Sequence, residues 1–537
     1  MVRAASPPPF RPARLLRLLI LSGLVAALVG AAPTAGAPSA GAGARLHRDV
    51  ADVGAVGTER VADRRGTGAG KPKKVCGRSL LDGPAKRPRG AKKVRTTQDL
   101  SALVDRSAPG TTFWLTPGVH TLGDDQYDQV QPKDGDVFIG APGAVLDGRG
   151  VNKYAFTAYA QRVTISYLTI QNFGQGIDDN GGQSVVNHDS GDNWYIHHNT
   201  IQNNAGAGVF LGNGGRVVKN CLRLNGEYGF QSFEEDGAHD VVLRGNEIAR
   251  NNTADWESIQ PGCGCSGGGK FWNTRNARVV GNYVHHNYGA GLWADTNDVG
   301  FLFERNYISD NQSHGLFYEI SYNAEIRKNT FARNGWKHGM EEGAGFPIGA
   351  IYLSEAGSDS RAGEKYGDQF RISGNLFVDN WAGIMGWENP DRFSGSPFNT
   401  STGFTTLVNP GVATATNCGT PSLIGTSPYF DDCRWKTQHL RVEHNRFTFD
   451  PAHIPGCTAD RGCGFNGLVA NVGTVPDWSP YKGYVVPDNI SLHQDNIWRH
   501  NTYTGPWQFM VRLLGPRVSW ATWRSAPFNQ DAGSTKK

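Results

Sequence analysis

The sequence predicts an all-β solenoid. One chain winds into a right-handed coil of about ten rungs, three short parallel strands to a rung, with a short N-terminal capping helix. Three observations predict it. Residues 277–335 fall into three similar lines, each a β-rich run followed by Asn-x-apolar-x-x-Asn: Asn282 and Asn287, Asn306 and Asn311, Asn329 and Asn334. The period is 24 and then 23 residues, the mark of units that bury their apolar faces only when stacked. The apolar positions are Val, Ile, Phe, Tyr and Leu spaced two apart, which is strand spacing. A leucine-rich repeat would need leucines at fixed offsets and a helical half, and the lines have neither. Right-handedness follows from the strong preference of parallel crossovers.

The same frame recurs at Asn199/Asn204, Asn220/Asn225, Asn246/Asn251, Asn375/Asn380 and Asn496/Asn501, and at Asn445 the second Asn becomes Asp450. An Asn at a fixed place on each rung reads as a residue that tolerates the left-handed conformation and whose amide bonds to the Asn above and below. Gly291 and Gly315, before the third strand, read as supplying a φ that other residues resist. On these repeats the chain resembles the right-handed parallel β-helix superfamily, the pectate-lyase-like fold, and its bacterial secreted members with Asn-ladder repeats. The resemblance covers residues 96–528. It implies the fold alone, because that fold hosts lyases, hydrolases, epimerases, adhesins and phage tailspikes.

In chain order, residues 1–37 read as a secretory signal: Arg3, Arg11, Arg14 and Arg17 precede the apolar run 18–30, and Ala35-Gly36-Ala37 suits cleavage. The run is too short for a membrane span. Residues 38–95 are poor in apolar side chains and read as a basic, mostly disordered linker. The first 95 residues hold 19 Lys and Arg against 5 Asp and Glu, and the rest hold 34 against 44. The net charge of +4 therefore hides a basic tail, able to touch anionic cell wall, and an acidic body. Thr96 reads as the N-cap of a helix over 99–106 that covers the first rung. Inserted loops are expected at 253–275, 340–369 and 390–438, where a solenoid tolerates them and where they wall a groove. Residues 496–512 read as the last rung, 520–527 as a Trp-rich cover, and 529–537 as a tail.

Eight cysteines in an exported chain predict disulfides. Cys457 and Cys463 close a small loop, and Cys418 and Cys433 flank another. Cys76, Cys221, Cys263 and Cys265 leave three pairings open.

The chemistry is sought by register. Eight residues after the second Asn of a frame the chain is in its third strand, and that place holds Asp295, Glu319 and Glu388. The interrupted rung between offers Glu342 or, if its strand is 349–354, Glu355. Rungs lie about 4.8 Å apart, and stacked carboxylates repel. Such a column reads as a general acid/base pair or a Ca²⁺ site; otherwise it is structural, paired with Arg or Lys of nearby loops. Asp295, Glu319, Glu355 and Glu388 are the catalytic candidates. Asp295 with Glu319 suits the ~5–5.5 Å gap of a retaining glycosidase, and Asp295 with Glu355 or Glu388 the wider inverting gap.

Aromatic side chains beside carboxylates suit sugars. Trp293, Tyr318 and Trp387 lie on these strands, His314 and His338 just before them, and Trp256 and Glu257 in the first excursion; these are the substrate-binding candidates. His197-His198 and His285-His286 read as exposed strand positions. The acidic body suits hydrolysis of a neutral glycan. A Ca²⁺-dependent lyase and a non-catalytic surface β-helix stay open. The reading calls for a secreted or wall-associated monomer, a polysaccharide partner, no nucleic acid, no stable membrane insertion and no cofactor, with Ca²⁺ the one ion the column would take.

Overall fold

The computed structural model describes residues 68–174, 184–234, 237–261, 263–341, 347–362, 369–388, 411–412, 414–424, 426–433, 435–470, 489–511 and 517–537. Every described residue lies in the compact unit Arg65–Lys537. The expected signal 1–37, linker residues 38–67 and Glu342 lie outside the described residues. Among the described residues, no helix is long and apolar enough to cross a membrane.

Three parallel sheets carry the described chain, with 15, 13 and 10 strands. A central rung gives Arg216–Val218 to the first, Cys221–Arg223 to the second and Phe230–Ser232 to the third. Pairing from rung to rung stacks like on like, as in Ile201, Leu222, Ile248 and Val284. Residues two apart share a face, so one apolar set per strand fills the interior. Leu292 and Ala294 point into that core while Trp293 and Asp295 point out.

The asparagines form two ladders. The backbone N–H and Nδ2 of Asn282 both donate to Oδ1 of Asn306, at 2.9 and 3.0 Å, and Asn306 repeats this to Asn329 at 2.8 and 3.0 Å. One ladder runs from Asn199 to Asn501, the other from Asn204 to Asn380. Three local expectations are corrected. The left-handed residue is the one before each ladder Asn, such as Lys219, Arg305 or Lys328, so Asn is selected for its amide. Gly291 and Gly315 are needed for close approach, because a Cβ on Gly291 would lie 2.5 Å from the Gly315 carbonyl and one on Gly315 2.8 Å from that of Ala350. In the Asn496/Asn501 frame it is Asn501 that joins the first ladder, accepting from Asn445.

The ends differ most from expectation. Residues 68–95 are not free linker: they lie against the solenoid. Thr330 Oγ1 donates to the Ala69 carbonyl at 2.7 Å, the N–H groups of Val75 and Cys76 donate to Glu247 Oε2 at 2.6 and 2.8 Å, and Lys92–Val94 pairs with the strand Thr112–Leu115. Backbone and disulfide contacts hold this basic stretch where its composition offers no core. The capping helix is Leu100–Asp105, and Asp99 rather than Thr96 caps it, accepting from Ala102 N–H. At the other end the expected tail closes the second sheet, Thr535–Lys536 pairing with Thr502–Tyr503. Buried Asp531 holds this closure by accepting from Trp523 Nε1 and Tyr503 OH.

The four disulfides are Cys76–Cys221, Cys263–Cys265, Cys418–Cys433 and Cys457–Cys463. Two expected loops also carry third-sheet strands: Gly269–Trp272 ends the first excursion, and Gly349–Ser354 crosses the second.

Candidate functional site

The outer face of the third sheet carries two parallel rows of side chains. One row runs Trp272, Asp295, Glu319, Ser354, Trp387, each the register partner of the next. The other runs Lys270, Trp293, Phe317, Tyr352, Met385. Asp295 and Glu319 are therefore direct neighbours on adjacent rungs, about 4.8 Å apart along the backbone.

The other two carboxylates leave the row. Ser354 and Trp387 stand where Glu355 and Glu388 were expected, because the row position comes seven residues after Asn380 instead of eight. Glu355 is buried at a left-handed corner and accepts from Ser354 Oγ at 2.6 Å. Glu388 is buried and accepts from Thr437 N–H at 3.0 Å and Gln494 Nε2 at 2.6 Å. These two stitch corners together.

The two row carboxylates have unlike surroundings. Lys270 Nζ lies 2.8 Å from Asp295 Oδ2, and Thr296 Oγ1 donates to Asp295 Oδ1 at 2.9 Å. Trp293 Nε1 donates to Glu319 Oε2 at 3.2 Å. Glu319 is 7% exposed, and the Asp295 side chain 17%. Behind them lies Asp298, which is fully buried and accepts from Thr274 N–H at 2.7 Å; burial and the charge of Asp295 push its carboxyl well above the usual range.

The aromatic row is stacked on itself. Trp293 and Phe317 lie 4.8 Å apart and Phe317 and Tyr352 4.6 Å, ring on ring, and Lys270 Nζ sits 4.1 Å from the centroid of Trp293. Trp293 thus has Phe317 and Lys270 against its ring and donates to Glu319. Tyr318 is corrected outright: it alternates inward and is fully buried in the core. Trp256, the first residue of the helix Trp256–Ile259, is also buried. His314 is buried with Nδ1 3.1 Å from the Gly349 carbonyl, and burial pushes its pKa down to about 3, so its ring is neutral. His338, on the helix Trp336–Glu341, is likewise lowered by burial. Glu257 accepts from Cys265 N–H and thereby braces the Cys263–Cys265 loop. His285, expected on an exposed strand position, is buried against Glu247 at 3.1 Å, and Glu247 also accepts from Cys76 N–H. Among the described residues no group of three or more His, Cys, Asp or Glu is placed to hold a metal ion.

Lys270, Trp272 and Asp298 escape a sequence reading. Lys270 and Trp272 sit at the end of a Cys/Gly-rich excursion with no counted offset from an Asn. Asp298 looks like an ordinary turn residue.

Residues 184–377 match the family model for the right handed beta helix region. The chain is a right-handed parallel β-helix protein. Solved structures share this fold at low identity. The A-module of mannuronan C-5 epimerase AlgE6 from Azotobacter vinelandii is 16% identical, over 55% of this chain and 89% of that one, with a TM-score of 0.39. A double mutant of the periplasmic alginate epimerase AlgG is 12% identical over 72% and 80%, with a TM-score of 0.40. Tailspike protein 2 of Escherichia coli bacteriophage CAB120 is 10% identical over 56% and 43%, with a TM-score of 0.37. No curated protein matches the sequence significantly.

Proposed function

We propose that the β-helix is an exported carbohydrate-active enzyme that hydrolyses a polysaccharide over the row containing Asp295 and Glu319. The observation that carries this is the register pairing of two carboxylates on the outer face of a sheet, each with a different partner. A structural sheet gains nothing from like charges on neighbouring strands. Asp295, paired with Lys270, is the nucleophile or the base that activates water. Glu319 is the proton donor to the glycosidic oxygen, which leaves as the sugar hydroxyl while the anomeric carbon takes the Asp295 or water oxygen. Four disulfides support export.

One observation favours a second reading. Lys270 beside Asp295 is the cation a uronate lyase needs to offset the substrate carboxylate. Purified protein on a panel of neutral and uronic-acid polysaccharides decides. New reducing ends without ultraviolet absorbance mean hydrolysis. Unsaturated products abolished by chelation mean a lyase. Binding without products leaves a surface-binding β-helix, and no interaction with any glycan ends the proposal.

A further inference from the structure

Residues 68–95 form a strap laid along the solenoid. Ala69 N–H donates to the Lys328 carbonyl at 2.9 Å, and the Ala69 carbonyl accepts from Thr330 Oγ1. Lys71 Nζ sits 5.5 Å from the centroid of the Tyr283 ring. Val75 and Cys76 are held by Glu247, Cys76 is bonded to Cys221, and the Pro84 carbonyl accepts from Trp114 Nε1 at 3.1 Å. From the strand Thr330–Ala332 back to the rung of Thr112–Leu115 is eight rung steps, roughly 38 Å along the axis. The strap covers that distance stretched out over the second sheet.

It carries ten Lys and Arg against a single acid, Asp82, and all ten cationic side chains are exposed. Lys71, Lys73, Lys74 and Arg78 lie along its length, and six more crowd the N-terminal end over 86–95. Exposed Lys328, against Ala69, and exposed Lys219, two residues before Cys221, continue the line on the solenoid itself. The anchors are backbone groups, Glu247 and the disulfide. They would hold as well with neutral side chains at positions 73, 74 and 78, so stability does not explain those charges. Like charges ranked this closely repel, and only an anionic partner turns that cost into a gain. The remainder of the chain, residues 96–537, is acidic, which makes the strap a separate cationic edge.

We infer that the strap is a docking edge for a linear acidic polysaccharide, one with carboxylate or phosphate groups on successive units, and that it is a binding site separate from the carboxylate row. The row lies on the third sheet and the strap on the second, so both can be occupied at once. A narrow line of charge suits a linear chain. A bilayer calls for apolar anchors beside the cations, and among the described residues none of the large exposed apolar side chains falls within 68–95. Pinning the strap fixes the spacing of its cations before the partner arrives, which lowers the ordering cost of binding.

The test measures affinity of the full chain for immobilised polygalacturonate and poly(glycerol phosphate), at low and high salt. The parent binds one or both, more weakly as salt rises, and the polymer it prefers tells carboxylate from phosphate. Lys73→Gln/Lys74→Gln/Arg78→Gln weakens binding at low salt about tenfold. Lys73→Arg/Lys74→Arg/Arg78→Lys keeps the charge and the affinity. Arg250→Gln/Arg461→Gln/Arg524→Gln removes three exposed cations elsewhere and changes nothing. Melting temperatures of the strap variants match the parent, because the altered side chains are exposed. Asp295→Asn binds as the parent does, whether or not it is active, so this site and the hydrolytic one stand or fall apart. Parental affinity in the strap variant overturns the inference, and so does equal weakening in the Arg250 set, which would reduce it to net charge. A parent that binds neither polymer overturns it as well; if that parent binds phosphatidylglycerol vesicles instead, the partner is a membrane.

Discussion

Asp295 and Glu319 are register partners on adjacent strands, yet Lys270 lies 2.8 Å from one and the indole N–H of Trp293 3.2 Å from the other. Equal neighbours would make the two carboxylates interchangeable; unequal ones give them separate tasks. Asp295→Asn and Glu319→Gln should each lower kcat/KM on the polysaccharide found in the panel by about 10²–10⁴-fold. Melting temperatures should stay level or rise, because like charges are relieved. Full activity in both variants would return the row to a structural role.

Glu388 makes the contrasting case. Its carboxylate accepts from Thr437 N–H and Gln494 Nε2 inside a closed corner. Glu388→Ala should cost about 1–3 kcal/mol in denaturant unfolding by orphaning those donors, with activity per folded molecule retained. Lost activity at unchanged stability would put Glu388 back among the catalytic groups.

Asn306 accepts from two donors of Asn282 and donates to Val279 and Asn329, all buried. Asn306→Ala leaves those partners without water to replace it, so a loss of about 2–4 kcal/mol is expected. Circular dichroism should remain that of a β protein below the new midpoint.

Cys76 and Cys221 are 145 residues apart in sequence, and Cys457 and Cys463 only 6. In the chain-entropy account the longer loop stabilises by about 5 kcal/mol and the shorter by about 2 kcal/mol. The Cys76→Ala/Cys221→Ala double variant should therefore melt well below the Cys457→Ala/Cys463→Ala one, and should be nicked first by protease near residues 68–91. Equal melting points would show that the hydrogen bonds to Glu247 hold the segment unaided.

Two groups act to destabilise the fold in acid. His314 is held neutral with a pKa of about 3, while in the unfolded chain it takes a proton near 6.5. Between those values the unfolded state binds the extra proton, so stability falls as pH drops, by about 1.4 kcal/mol per pH unit. Glu247 is pulled down by the His285 ring and the N–H groups of Cys76 and Val75 despite its burial. Its stabilisation is present above its unfolded pKa and lost as pH falls through the folded one. His314→Asn should flatten the slope of unfolding free energy between pH 6 and 4 by about one proton; an unchanged slope would show that His314 titrates in the folded protein.

The repeat by itself determined the solenoid, the two-residue alternation and the ladder positions. Each of these depends on side chains a fixed number of residues apart, and a fixed offset is visible in one dimension. It also placed Asp295 and Glu319 in one row, because both lie eight residues past a ladder Asn with no insertion between. Only the tertiary structure decided the rest. Glu388 left the row through a turn one residue shorter, a length that pairing with the strand before it sets and that composition does not show. Lys270 lies against the ring of Trp293, a contact that no offset from a ladder Asn shows. Residues 68–95 looked like linker because they carry no core of their own. They are ordered by hydrogen bonds and a disulfide to residues more than a hundred positions away, and contacts at that separation leave no periodic trace in the sequence.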